Sequence, residues 1–291
     1  MSTTDRPALP RTTTRRTALA LAGGGGLAAL LAACGEPQTR GEDGTVVSDG
    51  GGSPAADALA SIRSSGTVRI GVEGTYRPYA FHDDSGALVG FEKDIADAIA
   101  GGLGAEAEYI ETEWDSLLAG LDVDKYDLVI NNVGITPERQ EKYLFSQPYA
   151  RAIGRVAVPE DSEIQAMADL KGARAAQTAT SNWAATMEGL GAEIIPVQGF
   201  AESIELVVQG RADATANDLV SFQTYLEENP GAPFRLLEEE LPLDEEIGVI
   251  MPKGQEALLA AVDEILTGMK QDGSLTAIYQ EWVGQDLSPV E

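Results

Sequence analysis

The sequence VRIGVEGTYRPYAF (residues 68–81) combines an apolar strand with a loop that carries polar side chains. Residues 68–72 form a short run rich in β-branched side chains, which is typical of a buried strand. Gly74 and Pro78 interrupt the pattern that follows, and these two residue types mark turns and loops. This part of the chain therefore predicts a strand whose carboxyl end opens into a loop.

The residues after this loop alternate between helix and strand patterns. Phe91, Ile95, Ile99 and Leu103 recur every four residues, as on the buried face of a helix. The patterns that follow predict strand, helix and strand at residues 107–110, 114–121 and 126–131. This alternation predicts a mainly parallel α/β sheet, in which ligands bind beyond the carboxyl ends of the strands. The loops at residues 73–76, 111–114 and 131–139 all lie at that edge.

A second α/β unit follows in the chain. It alternates helices with strands predicted at residues 173–176, 194–197 and 212–216. A strand at 247–251 and a long amphipathic helix through residues 258–269 come next, and a short helix ends near Trp282. The two halves share the order of strand, loop and helix but no internal sequence repeat.

Composition and charge exclude several classes of function. The chain has 291 residues, with 20 Lys and Arg against 47 Asp and Glu. This balance opposes binding to nucleic acid, which depends on cations facing phosphates. One Cys and one His exclude a disulfide framework, a Cys/His zinc site and a Cys–His nucleophile pair. We expect no metal and no cofactor, and we expect the acidic clusters 238–240 and 244–246 to be exposed loops.

The N-terminal residues predict an export signal. Four arginines between residues 6 and 16 precede an uncharged, mostly apolar run that ends in Leu31-Ala32-Ala33-Cys34. Small residues before a cleavage point are typical of signal peptides. A cysteine just after them resembles the lipobox of bacterial lipoproteins, which implies lipidation at Cys34. A membrane-spanning helix is the alternative, but the run is at the short end of the spanning range and contains four consecutive glycines. Arg15-Arg16 also resembles a twin-arginine signal, so both export routes stay open.

The predicted domain order follows from these patterns. Residues 1–33 form the lipoprotein signal peptide, and residues 34–60 form a flexible tether. The tether is rich in Gly, Ser, Pro and Asp and buries too little apolar surface to fold.

Four segments resemble the family 3 extracellular solute-binding proteins, the polar amino-acid binders of ABC importers. They are GVEGTYRPYAF (71–81), GITPERQEKY (134–143), RADATAND (211–218) and DGSLTAIYQEW (272–282). The resemblance implies a periplasmic-binding-protein type II fold, with two α/β lobes joined by a two-strand hinge. Lobe 1 is then residues 61–152 plus 249–287, and lobe 2 is residues 153–248.

The resemblance also implies residues that hold the two ends of an amino acid. Arg139 matches the arginine that binds the ligand carboxylate, and its planar fork suits that group. Asp218 matches the aspartate that binds the α-ammonium, although it is also a candidate helix N-cap. Thr180 matches a threonine at a helix start, where free N–H groups favour an anion. Asn132 and Gly134 match positions that contact the ammonium through their backbone groups. By composition alone, Arg139 would be a surface side chain paired with Glu138 or Glu141.

Three further positions concern the ligand side chain. Tyr76 and Trp114 match residues that cover the ligand, although packing in the core is the more common fate of such side chains. Glu73 matches an acidic position that faces the side chain of basic ligands, because a buried carboxylate needs a cation. The resemblance is greatest to the cystine-type branch, which favours cystine, lysine, ornithine or diaminopimelate as the ligand.

The implied function is that of an exported receptor, with no catalytic residues. It is expected to be a monomer held by the lipid on Cys34 at the outer face of the cytoplasmic membrane. There it would bind a free amino acid and deliver it to an ABC permease. The alternatives are an enzyme on the same fold, of the dehydratase or transglycosylase type, and a ligand-sensing domain.

Overall fold

The computed structural model describes residues 57–242 and 244–289, and the predictions for the signal peptide, Cys34 and most of the tether lie outside these residues. The helices are α1 (Ala58–Ser65), α2 (Phe91–Leu103), α3 (Trp114–Leu121), α4 (Pro137–Lys142), α5 (Asn182–Gly189), α6 (Phe200–Val208), α7 (Leu219–Glu228), α8 (Glu256–Asp272) and α9 (Ser274–Val283). The strands are β1 (Thr67–Val72), β2 (Thr75–Tyr76), β3 (Ala80–His82), β4 (Leu88–Val89), β5 (Glu106–Glu111), β6 (Leu128–Val129), β7 (Tyr143–Phe145), β8 (Ala150–Pro159), β9 (Arg174–Gln177), β10 (Glu193–Pro196), β11 (Thr215–Asp218), β12 (Phe234–Leu236), β13 (Asp244–Ile247) and β14 (Ile250–Pro252).

A five-stranded sheet in the order β5-β1-β6-β14-β7 forms the centre of lobe 1. Strand β1 pairs in parallel with β5 and with β6, as the alternating pattern predicts. Strand β14 returns late in the chain and pairs antiparallel with β6 and β7. Helix α2 packs on this sheet through Phe91, Ile95, Ile99 and Leu103, all of which are buried. The spacing of four therefore predicted both the helix and its buried face.

Lobe 2 contains a second sheet, in which β8 pairs antiparallel with β11 and β12. Strands β9 and β10 pair in parallel beside it, and an isolated bridge joins Ala175 to Ala214. Helices α5, α6 and α7 cover these strands, with Met187, Ile204 and Phe222 fully buried among them. The mixed α/β architecture predicted from the sequence is confirmed for both halves.

Two antiparallel strands connect the lobes. The first part of β8 pairs with β13, from Ala150 opposite Ile247 to Ile153 opposite Asp244. Strand β8 continues into the sheet of lobe 2, and the chain after β13 enters β14 in lobe 1. The prediction that residues 244–246 form an exposed loop is wrong, because they belong to strand β13 and Glu245 is only 6% exposed, although Glu246 is exposed as predicted. Residues 238–240 are exposed, as predicted.

The beginning of the described chain is helical. Asp57 caps α1 by accepting a hydrogen bond from the backbone N–H of Ala60. The last three residues of the predicted tether, 58–60, therefore belong to a helix that packs on lobe 1 through the buried Ile62. Among residues 57–242 and 244–289, every helix is too short or too polar to span a bilayer.

Candidate functional site

A narrow cavity lies between the two lobes, beyond the carboxyl ends of β1 and β6. Lobe 1 contributes four of the predicted site residues to its wall: Glu73, Tyr76, Trp114 and Asn132. Lobe 2 contributes residues from the loop before α5, from α5 itself, from the start of α6 and from β11: Thr178, Ser181, Asn182, Trp183, Gly199, Phe200 and Asn217. The cavity volume is about 30 Å³, which is room for roughly two water molecules. The lobes or their side chains must therefore move before an amino acid can enter.

Glu73 follows β1 and is fixed by an amide side chain from the neighbouring strand end. Its backbone N–H donates to Asn131 Oδ1 at 2.8 Å, and Asn131 Nδ2 donates to Glu73 Oε2 at 2.7 Å. Withdrawal from water raises the pKa of Glu73 to about 7, and the negative charge of Asp115 adds to this rise. The cavity therefore contains a carboxyl group that a cation would stabilise in its charged form.

Asn132 lies in a left-handed backbone conformation with φ of 48°, which few non-glycine residues adopt but which Asn tolerates. The backbone N–H of Asn132 donates to both oxygens of Glu92, at 2.8 and 3.0 Å. Glu92 is itself buried on α2 and accepts a further hydrogen bond from the Tyr149 hydroxyl. A buried carboxylate thus holds the strained turn that places Asn132 at the cavity.

Tyr76 and Tyr79 connect lobe 1 to lobe 2. The Tyr76 hydroxyl donates to Asn217 Oδ1 at 2.5 Å and accepts from Ser221 Oγ at 3.1 Å. Its ring is stacked on the ring of Tyr79, with the centroids 4.3 Å apart. Tyr76 therefore lines the cavity and also joins the lobes.

Asp218 is buried beside the cavity rather than in its wall. One carboxylate oxygen accepts from the Tyr79 hydroxyl at 2.5 Å, and the other accepts from the backbone N–H groups of Ile153 and Val220. Burial raises the pKa of Asp218 to about 6. The predicted role as N-cap of the helix beginning at Leu219 is confirmed. The preceding residue, Asn217, is the one that lines the cavity.

Thr180 is exposed at the entrance to the cleft and bonded to the opposite lobe. Its backbone N–H and its hydroxyl donate to Asp115 Oδ1 at 2.9 and 2.8 Å. The N-cap of α5 is the next residue, Ser181, whose hydroxyl accepts from Ala184 N–H at 3.1 Å. The cavity wall contains Thr178, Ser181 and Asn182 from this loop, and the helix start that the sequence placed at Thr180 lies one residue later.

Arg139 lies in the first turn of α4, which Thr136 caps and Pro137 begins. Its Nη1 donates to the carbonyl oxygen of Gly134 at 3.0 Å, and the guanidinium lies 5.4 Å from the centre of the Trp114 ring. The salt bridges among the described residues do not join Arg139 to Glu138 or Glu141. Burial lowers its pKa, although the permanent charge of a guanidinium persists at neutral pH.

Glu245 is a buried carboxyl group that the sequence interpretation missed. Its side chain lies over Gly134, where a Cβ would overlap Glu245 Oε1. The backbone φ of Gly134 is not positive. This position therefore requires glycine because Glu245 leaves no space for a side chain, and not because the chain bends there. Asn182 Nδ2 donates to Glu245 Oε1 from lobe 2. Burial raises the pKa of Glu245 to about 7, and the nearby charge of Arg139 limits the rise. The alternation of Glu245, Ile247 and Val249 is the one signal that could have predicted its burial.

Comparison with known proteins gives a family and a set of relatives. The model of the bacterial extracellular solute-binding proteins, family 3, matches residues 68–285. A probable amino-acid ABC transporter-binding protein of Haemophilus influenzae is 35% identical, over 81% of this chain and 92% of the relative. The L-cystine-binding protein TcyA of Bacillus subtilis is 34% identical, over 80% of this chain and 87% of the relative.

The arrangement of the lobes in this chain can be compared with two solved structures, one open without ligand and one with a bound ligand. The L-cystine solute receptor of Neisseria gonorrhoeae, unliganded and open, is 37% identical with a TM-score of 0.55, covering 80% of this chain and 99% of that one. A substrate-binding protein of an ABC uptake transporter from Streptococcus pneumoniae with bound histidine is 26% identical with a TM-score of 0.75, covering 81% and 99%. The less identical but liganded structure superposes better, which agrees with lobes that are closed in this chain. The chain belongs to family 3 of the bacterial extracellular solute-binding proteins.

Proposed function

We propose that the protein is the extracytoplasmic receptor of an ABC importer and that it closes its two lobes on a free amino acid. The single observation that carries this proposal is the cavity between the lobes. Aromatic rings from both lobes enclose it (Tyr76, Trp114 and Phe200), and polar side chains from both lobes face it (Glu73, Asn182 and Asn217). A concave site with aromatic walls and placed polar groups is suited to the recognition of a small molecule. The names of the relatives support the amino acid as the ligand.

The mechanism is hinge closure without chemistry on the ligand. Arg139 and the turn at Asn132 belong to lobe 1 and would hold the ligand carboxylate and ammonium first. Thr180 and Asp218 belong to lobe 2, so their contribution depends on the closed state. In this structure Asp115 and Tyr79 of lobe 1 already bond to them. A ligand that makes contacts only in the closed state increases the fraction of molecules that are closed.

The ligand class follows from the acidic character of the cleft. Glu73 has its pKa raised to about 7 because its charge is poorly solvated, so a second ammonium on the ligand would stabilise it. This favours cystine or another diamino acid over glutamate. The similarity to a cystine-binding protein supports the same choice.

The attachment of the protein belongs to the same proposal. A lipid on Cys34 would hold a monomer at the outer face of the cytoplasmic membrane, beside the permease that takes over the ligand. The family description supports export. The lipid itself rests on the sequence around Cys34.

One observation favours the enzyme alternative. A carboxyl group with a pKa near 7 in a cavity is suited to act as a general acid. The relatives are binding proteins, so we rank this alternative second.

Isothermal titration calorimetry of the exported chain with Cys34→Ser tests the proposal. Cystine, lysine, ornithine, diaminopimelate, glutamine and glutamate are titrated, and each is recovered for mass spectrometry. We expect one-to-one binding of a diamino acid, weakened about 100-fold or more by Arg139→Ala. Arg174→Ala removes an exposed arginine paired with Asp213 and should bind as the unchanged protein does.

Each other outcome has a definite meaning. Binding of glutamine or glutamate alone would keep the receptor and reject the role of Glu73. Absence of binding, or a chemically altered ligand, would reject the receptor in favour of the enzyme alternative.

A further inference from the structure

Glu245 occupies a position between the lobes that neither lobe alone would create. It lies on β13, one of the two strands that connect the lobes. Gly134 of lobe 1 makes room for its carboxyl group, and Asn182 of lobe 2 donates a hydrogen bond to it. Its neighbour Glu246 is exposed on the opposite face of the strand. The carboxyl group of Glu245 is thus in contact with both lobes, on a strand that connects them.

The charged groups around Glu245 are few and of known sign. Among residues 57–242 and 244–289, Arg139 from helix α4 supplies the attractive charge that acts on it, and Asp218 from the end of β11 supplies a repulsive one. The guanidinium of Arg139 is half-buried, and its Nη1 donates to the carbonyl oxygen of Gly134, the residue over which the Glu245 carboxyl group lies. A guanidinium withdrawn from water is stabilised by a nearby negative charge. Two carboxylates act on Arg139, of which Glu245 has the larger effect and is buried, whereas Glu138 is exposed.

We propose that Glu245 is the resident counter-charge of Arg139 in the ligand-free protein, and that the carboxylate of an incoming amino acid replaces it. The proposal rests on the function proposed above, because it assumes that Arg139 receives the ligand carboxylate. Before binding, the guanidinium of Arg139 and the carboxyl group of Glu245 both lie against Gly134, and above about pH 7 they carry opposite charges. After binding, the ligand carboxylate provides the negative charge and Glu245 takes a proton from solvent, so the buried charge stays balanced.

The physical reason is that two carboxylates cannot both stay charged beside one guanidinium in a space closed to water. The pKa of Glu245 lies at about 7 before binding, so protonation at neutral pH requires only a further rise. Arrival of a second carboxylate causes that rise. The affinity for the ligand should then increase as the pH falls toward 7 and level off below it, to the extent that Glu245 contributes.

Glu245→Gln tests the proposal, with Glu246→Gln as the matched control on the same strand. Glutamine keeps an oxygen for the Asn182 hydrogen bond but carries no charge. We expect Glu245→Gln to tighten amino-acid binding at pH 8 by about tenfold, since the competing charge is gone. Calorimetry in two buffers of different ionisation enthalpy should show that the unchanged protein takes up more protons on binding than Glu245→Gln. Glu246→Gln should match the unchanged protein in both respects.

The sign of the change decides between roles. Weaker binding by Glu245→Gln would mean that Glu245 holds the ligand ammonium, and it would overturn the proposal. Equal affinity together with equal proton uptake would also overturn it.

A second measurement needs no ligand and so separates this proposal from the proposed function. The carboxyl carbon of Glu245 is titrated by NMR in the unchanged protein, in Arg139→Gln and in Arg139→Lys. Loss of the counter-charge should raise the pKa of Glu245 in Arg139→Gln, whereas Arg139→Lys keeps the charge and should leave it near 7. An equal pKa in all three proteins would overturn the pairing of Glu245 with Arg139, even if amino acids bind. A protein that binds no amino acid but shows the rise would reject the proposed function and keep the pair.

Discussion

Carboxyl groups withdrawn from water are the dominant feature of the cleft at the scale of single residues. Glu73, Glu92, Asp218 and Glu245 all surround it, and loss of hydration raises the pKa of each. Each is stabilised by directed hydrogen bonds, from Asn131, from the Asn132 backbone, from Tyr79 and from Asn182 respectively. A site built in this way is held in shape by its polar groups and is most stable when some of them keep their protons.

Glu92 provides a prediction about stability, since it is 1% exposed and burial raises its pKa to about 8. The folded state keeps a proton that the unfolded state releases from about pH 4.5 upward. Unfolding therefore becomes easier as the pH rises from about 5 to about 8. We expect Glu92→Gln to remove this part of the dependence, up to about 1.4 kcal/mol for each pH unit.

Urea unfolding of both proteins at several pH values measures this difference. Glu238→Gln, at an exposed position, is the control and should follow the unchanged protein. Parallel curves for Glu92→Gln and the unchanged protein would contradict the prediction.

At the scale of elements, local sequence patterns predicted the helices and strands whose formation depends on residues close together in the chain. The apolar spacing of α2 and the β-branched run of β1 need only their own residues to be recognised. The site was less predictable because its contacts join distant parts of the chain. Glu245 is buried against Gly134 and Asn182, which are distant in the sequence, and a run of three acids predicts an exposed segment when these contacts are unknown. Tyr79 lies in a loop, as predicted, but the sequence did not show that its hydroxyl bonds to Asp218, 139 residues away.

The start of α5 gives a prediction at this scale, because mutations can distinguish the N-cap, Ser181, from the residue before it, Thr180. Ser181 is buried and its hydroxyl accepts the hydrogen bond of Ala184 N–H. Ser181→Ala should lower the free energy of unfolding by about 1 kcal/mol. Thr180→Ala removes an exposed hydroxyl outside the helix and should change stability by less than about 0.5 kcal/mol. Chemical denaturation of the two variants measures both values, and equal losses would show that Thr180 shares the capping role.

At the scale of the whole molecule, the closed cleft depends on a small number of polar bonds between the lobes. Tyr76 bonds to Asn217, Tyr79 to Asp218, and Asp115 to the loop before α5. An ion pair between Arg77 and Glu228 adds a surface contact. Polar contacts of this kind cost little to break because water replaces them, so the lobes can separate for ligand entry and close again around the ligand.

Asp115 is exposed, and its contacts with the other lobe give the last prediction. It accepts from Thr180 Oγ1, from Thr180 N–H and from Ala179 N–H, at 2.8, 2.9 and 3.3 Å. Asp115→Ala should therefore shift the ligand-free protein toward the open state. Because a smaller fraction of the ligand-free molecules is then closed, the apparent affinity for the ligand should fall by about three- to tenfold.

Spin labels at Glu141→Cys and Glu188→Cys, on exposed positions of the two lobes, measure the opening directly. Cys34 is the one cysteine of the chain, so with Cys34→Ser the labels are placed at two defined sites. Asp97→Ala, which breaks bonds to Lys93 and Tyr109 within lobe 1, is the control and should leave the distances unchanged. If Asp115→Ala weakens binding without lengthening the label distance, Asp115 acts on the ligand and not on the lobes. A longer distance together with weaker binding would instead show that closure is a separate, measurable part of the binding energy.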